Sequence, residues 1–152
     1  MVEGRKVVAS NRRARHNYEI LDTFEAGMVL KGSEVKSLRA GQVQLKDAYA
    51  TLQDGELWLE NAHIAPYSYA SSGGHDPERK RKLLLHRREI DRLTGKVHEQ
   101  GLTLVPLQIY FVHGLAKIEI ALAKGRHTYD KRRKLVERQQ KREMDRARSH
   151  RR

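Results

Sequence analysis

Asp47-Ala-Tyr-Ala-Thr-Leu-Gln53 and Glu56-Leu-Trp-Leu-Glu-Asn-Ala-His-Ile64, separated only by Asp54-Gly55, decide the fold class of this chain. Asp-Gly between two alternating segments is a strong signal for a two-residue hairpin turn, because both central positions need positive φ. Leu57 and Leu59 alternate with Glu56, Trp58 and Glu60, the period of a half-buried strand. The same signature recurs downstream. Leu102–Val112 and Leu115–Leu122 meet at His113-Gly114, and Ile118, Ile120 and Leu122 alternate with Lys117, Glu119 and Ala121. Pro106 has no N–H to give a ladder, so it implies an edge or a bulge.

Outward from these hairpins, an earlier strand is expected from Asn17 to Leu30, with a bulge or bend at Gly27 of the kind that curves a sheet into a barrel. A short helix fits Glu34–Ala40, capped by Ser33 and stopped by Gly41, with Val35 and Leu38 facing inward. A second helix fits His86–Gln100, with Ile90, Leu93 and Val97 at helical spacing and Gly101 as its stop. Tyr67–Pro77, which contains Ser-Ser-Gly-Gly, reads as a flexible loop. Five or six strands with two short helices point to a mainly β chain: an OB-fold-like closed β-barrel with short flanking helices.

The chain has 152 residues, enough for one domain with one core. It carries no cysteine, which excludes disulfides, thiol catalysis and thiolate metal sites. Its longest apolar runs, Ile109–Val112 and Ile120–Ala123, fall far short of a membrane span or a signal peptide, so a soluble, cytoplasmic protein is expected. The eight histidines show no zinc-site spacing, and neither a phosphate-binding Gly-rich loop nor a nucleophile elbow is present. No nucleophile–base pair is suggested by spacing, so the protein is expected not to be an enzyme and to need no cofactor or metal.

Net charge is +12, and it is unevenly placed. Residues 1–123 hold eighteen Lys and Arg against fifteen acids, whereas 124–152 hold thirteen against four. The chain therefore divides into a nearly balanced body, 1–123, and a basic tail, 124–152. The tail has too few apolar residues to offset its ordering entropy, but a helix-forming composition, with Val136, Met144 and Ala147 near one helical face. From Asp130 on it is expected to be disordered when free and helical when held. Within the body, Asn11-Arg-Arg-Ala-Arg-His16 next to Tyr18 gathers guanidinium forks and stacking rings. Arg79-Lys-Arg-Lys82 adds four consecutive cations, and Lys36 and Arg39 share one helical face. Each run alone is an ordinary solvated face; together with the tail they point to RNA or DNA, with single-stranded or structured RNA preferred over sequence-read duplex DNA. A structural ribosomal protein shares the small size, basic charge and tail, and stays open as an alternative at this point.

These motifs also carry a resemblance. Asn11–His16, Phe24-Glu-Ala-Gly27, Gly32-Ser-Glu-Val-Lys-Ser-Leu-Arg-Ala-Gly41, Asp76-Pro-Glu-Arg-Lys-Arg-Lys-Leu-Leu-Leu-His86, and Ala123-Lys-Gly125 followed by Tyr129-Asp-Lys-Arg132 occur in the order and spacing of the SsrA-binding proteins, the small protein B (SmpB) family. The resemblance implies an OB-fold that binds the tRNA-like domain of tmRNA and brings it to stalled ribosomes for trans-translation, jointly with elongation factor Tu and GTP on charged tmRNA. It assigns Asn11, Arg12, Arg13, Arg15, His16, Glu25, Lys36, Arg39, Leu84 and His86 to tmRNA binding. It assigns Lys124, Gly125, Arg126, Tyr129, Asp130, Lys131 and Arg132 to a tail that enters the ribosomal decoding site and the empty mRNA channel, against ribosomal RNA. His127 departs from the family's usual second basic residue there. Blander readings stand beside these roles: Glu25 as the partner of a local base, Leu84 as a core leucine, His86 as a helix cap, Tyr129 as a docking residue on the body.

Overall fold

The computed structural model describes residues 5–67, 75–125 and 139–144. In chain order the elements are β1 (Lys6–Ser10), α1 (Arg12–Asn17), β2 (Tyr18–Met28), α2 (Gly32–Arg39), β3 (Val43–Gln44), β4 (Tyr49–Gln53), β5 (Glu56–Glu60), β6 (His63–Ile64), β7 (Arg81–Leu84), α3 (Arg87–Gln100), β8 (Thr103–Val112) and β9 (Leu115–Gly125). Residues 139–144 form an exposed helical turn. Among the described residues no helix is long and apolar enough to cross a membrane.

Both expected hairpins are present. Asp54 and Gly55 have φ of 54° and 74°, and His113 and Gly114 have 49° and 80°, the paired positive values of a turn that matches strand twist. All pairings are antiparallel, and the strands run β8-β4-β5-β7-β2-β9 and back to β8, closing a six-stranded barrel. Closure between β4 and β8 rests on the single pair Ala50–Leu104. β1, absent from the sequence expectation, adds to β8 over Gln108–Phe111. The ladder of β8 and β9 breaks register between Pro106 and Gln108, the bulge that the missing proline N–H calls for. The bulge expected at Gly27 lies elsewhere: β2 shifts register between Ile20 and Asp22, while Gly27 stays regularly paired with Leu84 on one side and Lys117 on the other.

The barrel interior is filled by the inward halves of the alternating strands. Leu57, Leu59, Ile109, Ile118 and Ile120 are wholly buried, each contributing about 1.5–3 kcal/mol. Alternation fails at Ala121 and Ala123, which face outward yet are fully buried. With Val105 and Leu107 they form a second, smaller cluster under Ala14 of α1, and alanine on both surfaces lets the helix approach closely.

Two helix starts differ from expectation. α2 begins at Gly32 with Lys31 as its cap residue, and Glu34 reaches back to accept from the Lys31 N–H at 2.8 Å. Ser33 does not cap; its hydroxyl bonds His75 Nδ1 at 2.8 Å. α3 starts one residue later than expected, at Arg87, buries Ile90 and Leu93, and ends at Gly101 in the left-handed region, as the sequence indicates. The Ser-Ser-Gly-Gly segment of the expected flexible loop lies outside the described residues.

Candidate nucleic-acid interface

One groove of about 610 Å³ opens where β2, β7 and β9 meet the start of α3, and Glu25, Leu84 and His86 all line it, together with Lys117 and Glu89. Three positions from distant parts of the sequence thus converge. Strand period explains Leu84. Leu83 takes the inward position opposite Leu57 and is 1% exposed; Leu84 therefore points out and is 52% exposed. This corrects the core-leucine reading. Leu84 stays open because its cross-strand neighbour is Gly27, where an added Cβ would lie 3.4 Å from Leu84 Cβ. His86 occupies the cap position of α3 with its backbone, but its side chain makes no cap hydrogen bond and is exposed at the groove.

Glu25 points outward between Phe24 and Ala26, which belong to the core side. Its partner is not a base. Tyr110 Oη donates to Glu25 Oε2 at 2.5 Å. Burial and the adjacent Glu25 carboxylate push the Tyr110 phenol well above its ordinary pKa, so it remains a donor. Tyr110 is a residue that the sequence reading missed. Alternation with Ile109 and Phe111 marks it as outward-facing, but nothing local pairs it with a residue 85 positions away.

A second set of predicted residues lies elsewhere. Arg12, Arg13, Arg15 and His16 are exposed on α1, whose buried contact is Ala14. Asn11 sits at the cap of that helix with both amide protons held inside the protein, by Leu45 O at 3.2 Å and Pro106 O at 3.0 Å. It orients the helix. Arg13, Tyr18, Lys46 and Tyr49 line a groove of about 320 Å³ beside α1. Tyr18 opens β2 and Glu25 lies seven residues along it, roughly 23 Å at about 3.3 Å per residue. Helix α1 and the Glu25 groove are therefore two separate surfaces. Lys36 and Arg39 are exposed on α2, with Lys36 Nζ 5.4 Å from the Tyr67 ring centre and the Arg39 guanidinium 4.7 Å from that of Phe111.

The four-cation run is not a free basic patch. Arg81 is fully buried; its Nε donates to Glu34 Oε2 at 2.6 Å and its Nη1 to Ala62 O at 2.7 Å. Arg79 Nη2 donates to Glu34 Oε1 at 2.6 Å. Burial alone would raise the pKa of Glu34; bonds from Arg79, the Lys31 N–H and Arg81 reverse this and hold it below the usual carboxylate value. Lys82 pairs with Glu56 at 2.9 Å, and Lys80 lies over the Trp58 ring. Two of the four cations serve the fold: Arg81, the first residue of β7, and Arg79, just before it, both reach Glu34 of α2.

Of the tail positions, Lys124 and Gly125 belong to β9, paired with Glu19 and Tyr18 and exposed. Arg126, His127, Tyr129, Asp130, Lys131 and Arg132 lie outside the described residues. Among the described residues, no three His, Asp or Glu side chains gather as a metal site requires.

Residues 8–150 match the SmpB protein family. The SsrA-binding protein of Salinispora arenicola is 61% identical over 145 residues, covering 95% of this chain and 91% of that one. That of Acidothermus cellulolyticus is 59% identical over 144 residues, with coverage of 95% and 91%. Among solved structures, a chain described under "tmRNA-SmpB: a journey to the center of the bacterial ribosome" superposes with a TM-score of 0.65 at 59% identity, covering 78% of this chain and 84% of that chain. With an OB-like barrel, a groove joining Glu25, Leu84 and His86, and a match along nearly its whole length, the chain belongs to the SmpB family of SsrA-binding proteins.

Proposed function

We propose that this protein binds tmRNA and brings it to stalled ribosomes, where nascent chains are tagged and ribosomes released. The observation that carries the reading is the convergence of Glu25, Leu84 and His86 on one exposed groove, in a chain whose family relatives are named for SsrA binding. An exposed leucine, an imidazole and a fixed carboxylate form a surface that recognises shape and hydrogen-bond donors, which phosphate attraction alone does not. Arg12, Arg13, Arg15 and His16 on α1, with Lys36 and Arg39 on α2, add contacts to the RNA backbone. The tail, with Arg126, Tyr129, Asp130, Lys131 and Arg132, enters the decoding site and the empty mRNA channel, where each cation displaces counterions from phosphate. Delivery occurs jointly with elongation factor Tu and GTP on charged tmRNA, in the cytoplasm, and the protein itself acts without catalysis.

The test is a titration of the tRNA-like fragment of tmRNA at physiological salt with excess bulk tRNA. Non-specific phosphate binding is typically about 10⁻⁴–10⁻⁶ M for DNA. Tight binding that survives the competitor is the expected result. Binding erased by bulk tRNA would overturn the reading and favour a generic ribosomal protein.

A further inference from the structure

The Glu25 carboxylate is mounted on a support that extends away from the groove. Tyr110 is 2% exposed although it points out of the barrel between inward Ile109 and Phe111. It is covered by Arg5, whose guanidinium carbon lies 3.7 Å from the ring centre. Arg5 also reaches Glu119 Oε2 at 3.8 Å, and Gln108 Nε2 donates to Glu119 Oε1 at 3.4 Å. Glu119 is the direct cross-strand neighbour of Glu25. Two carboxylates opposite each other on adjacent strands repel; here each is drawn to a separate partner, Glu25 to Tyr110 and Glu119 to Arg5 and Gln108.

From this arrangement we infer that Tyr110 is a positioning residue for RNA recognition: its hydroxyl fixes Glu25 Oε2, so that Oε1 is presented to a hydrogen-bond donor of the RNA in the groove. An ionised carboxylate only accepts, so the partner group is a base N–H or a ribose 2′-hydroxyl, never a phosphate. Without the Tyr110 bond the Glu25 side chain loses its fixed direction, and RNA binding must then order it. Arg5 acts one step further back, by covering the ring. The inference rests on the tmRNA-binding reading of this groove.

The test is a double-mutant cycle with Tyr110→Phe and Glu25→Ala in the full-length protein, measuring affinity for the tRNA-like fragment of tmRNA in the presence of bulk tRNA. A hydrogen bond to a charged group makes the expected loss for Tyr110→Phe about tenfold. In the Glu25→Ala background, where no acceptor is left for the hydroxyl, the same change should weaken binding less than about twofold. Circular dichroism and the thermal midpoint check that both variants fold. Equal losses in the two backgrounds would overturn the inference, because a purely structural tyrosine acts whether or not position 25 carries an acceptor. No loss from Tyr110→Phe, or none from Glu25→Ala, would overturn it as well. Failure of the wild-type protein to bind above competitor would instead remove the tmRNA reading beneath it, a result distinct from the other three.

Discussion

Leu83 and Leu84 are adjacent, chemically identical and opposite in exposure. Leu83 is enclosed by the barrel; Leu84 stands over Gly27 with half its surface in water. Leu83→Ala should cost about 2–5 kcal/mol by leaving a cavity. Leu84→Ala should change stability by no more than about 0.5 kcal/mol and weaken tmRNA binding. Denaturant titration and RNA titration of the two variants should give opposite rankings. Glu25→Ala should likewise weaken binding without unfolding the barrel, since its side chain lies outside the core; wild-type affinity would show that the carboxylate takes no part in recognition. Period-two alternation makes the outward position of Glu25 legible in sequence. Three leucines in a row hide which one is outward, and only the register of β7 against β5 and β2 settles it.

The α2–β7 contact illustrates what pairing of elements decides. Helix α2 is short, and its buried Glu34 would be costly without Arg79, Arg81 and the Lys31 N–H. Removing one member of a buried pair strands the other charge, so Glu34→Ala should cost about 3–5 kcal/mol in denaturant unfolding. The pair also gives a pH dependence with a definite sign. The pKa of Glu34 is lowered from its ordinary 4.5 in the folded protein. Its contribution is therefore fully present above that ordinary value and is lost as pH falls through the lower, folded one. Thermal midpoints measured from pH 7 to pH 3 should fall more steeply for the wild type than for Glu34→Gln. Arg81 and Glu34 are 47 residues apart. A run of four cations reads locally as a solvated basic patch, and no local pattern identifies the two that are committed to a distant carboxylate.

For the whole molecule, body and tail separate by charge, but the last strand runs past the compositional boundary. β9 continues through Lys124 and Gly125, which pair with Glu19 and Tyr18 and close the start of β2. A truncation after Gly125 should therefore keep the barrel and tmRNA binding while abolishing tagging on stalled ribosomes, assayed by appearance of tagged nascent chains. A truncated protein that still supports tagging would refute the role given to the tail. The separation of the basic α1 surface from the Glu25 groove also predicts that reversing Arg12, Arg13 and Arg15 to Glu lowers the salt dependence of RNA binding more than Glu25→Gln does; affinities at several salt concentrations measure this.

The sequence by itself determined what depends on near neighbours and on composition: the two hairpins from their turn dipeptides, the end of α3 from Gly101, an interruption of the ladder at Pro106 as an edge or a bulge, the segregation of charge and the family motifs. Each of these is set by the backbone preferences of a few consecutive residues or by counting. Only the tertiary structure decided that Arg81 is buried, that Asn11 anchors α1, that Leu84 lines a groove and that Tyr110 holds Glu25. Those depend on strand register and barrel closure, which set the partners of residues tens of positions apart.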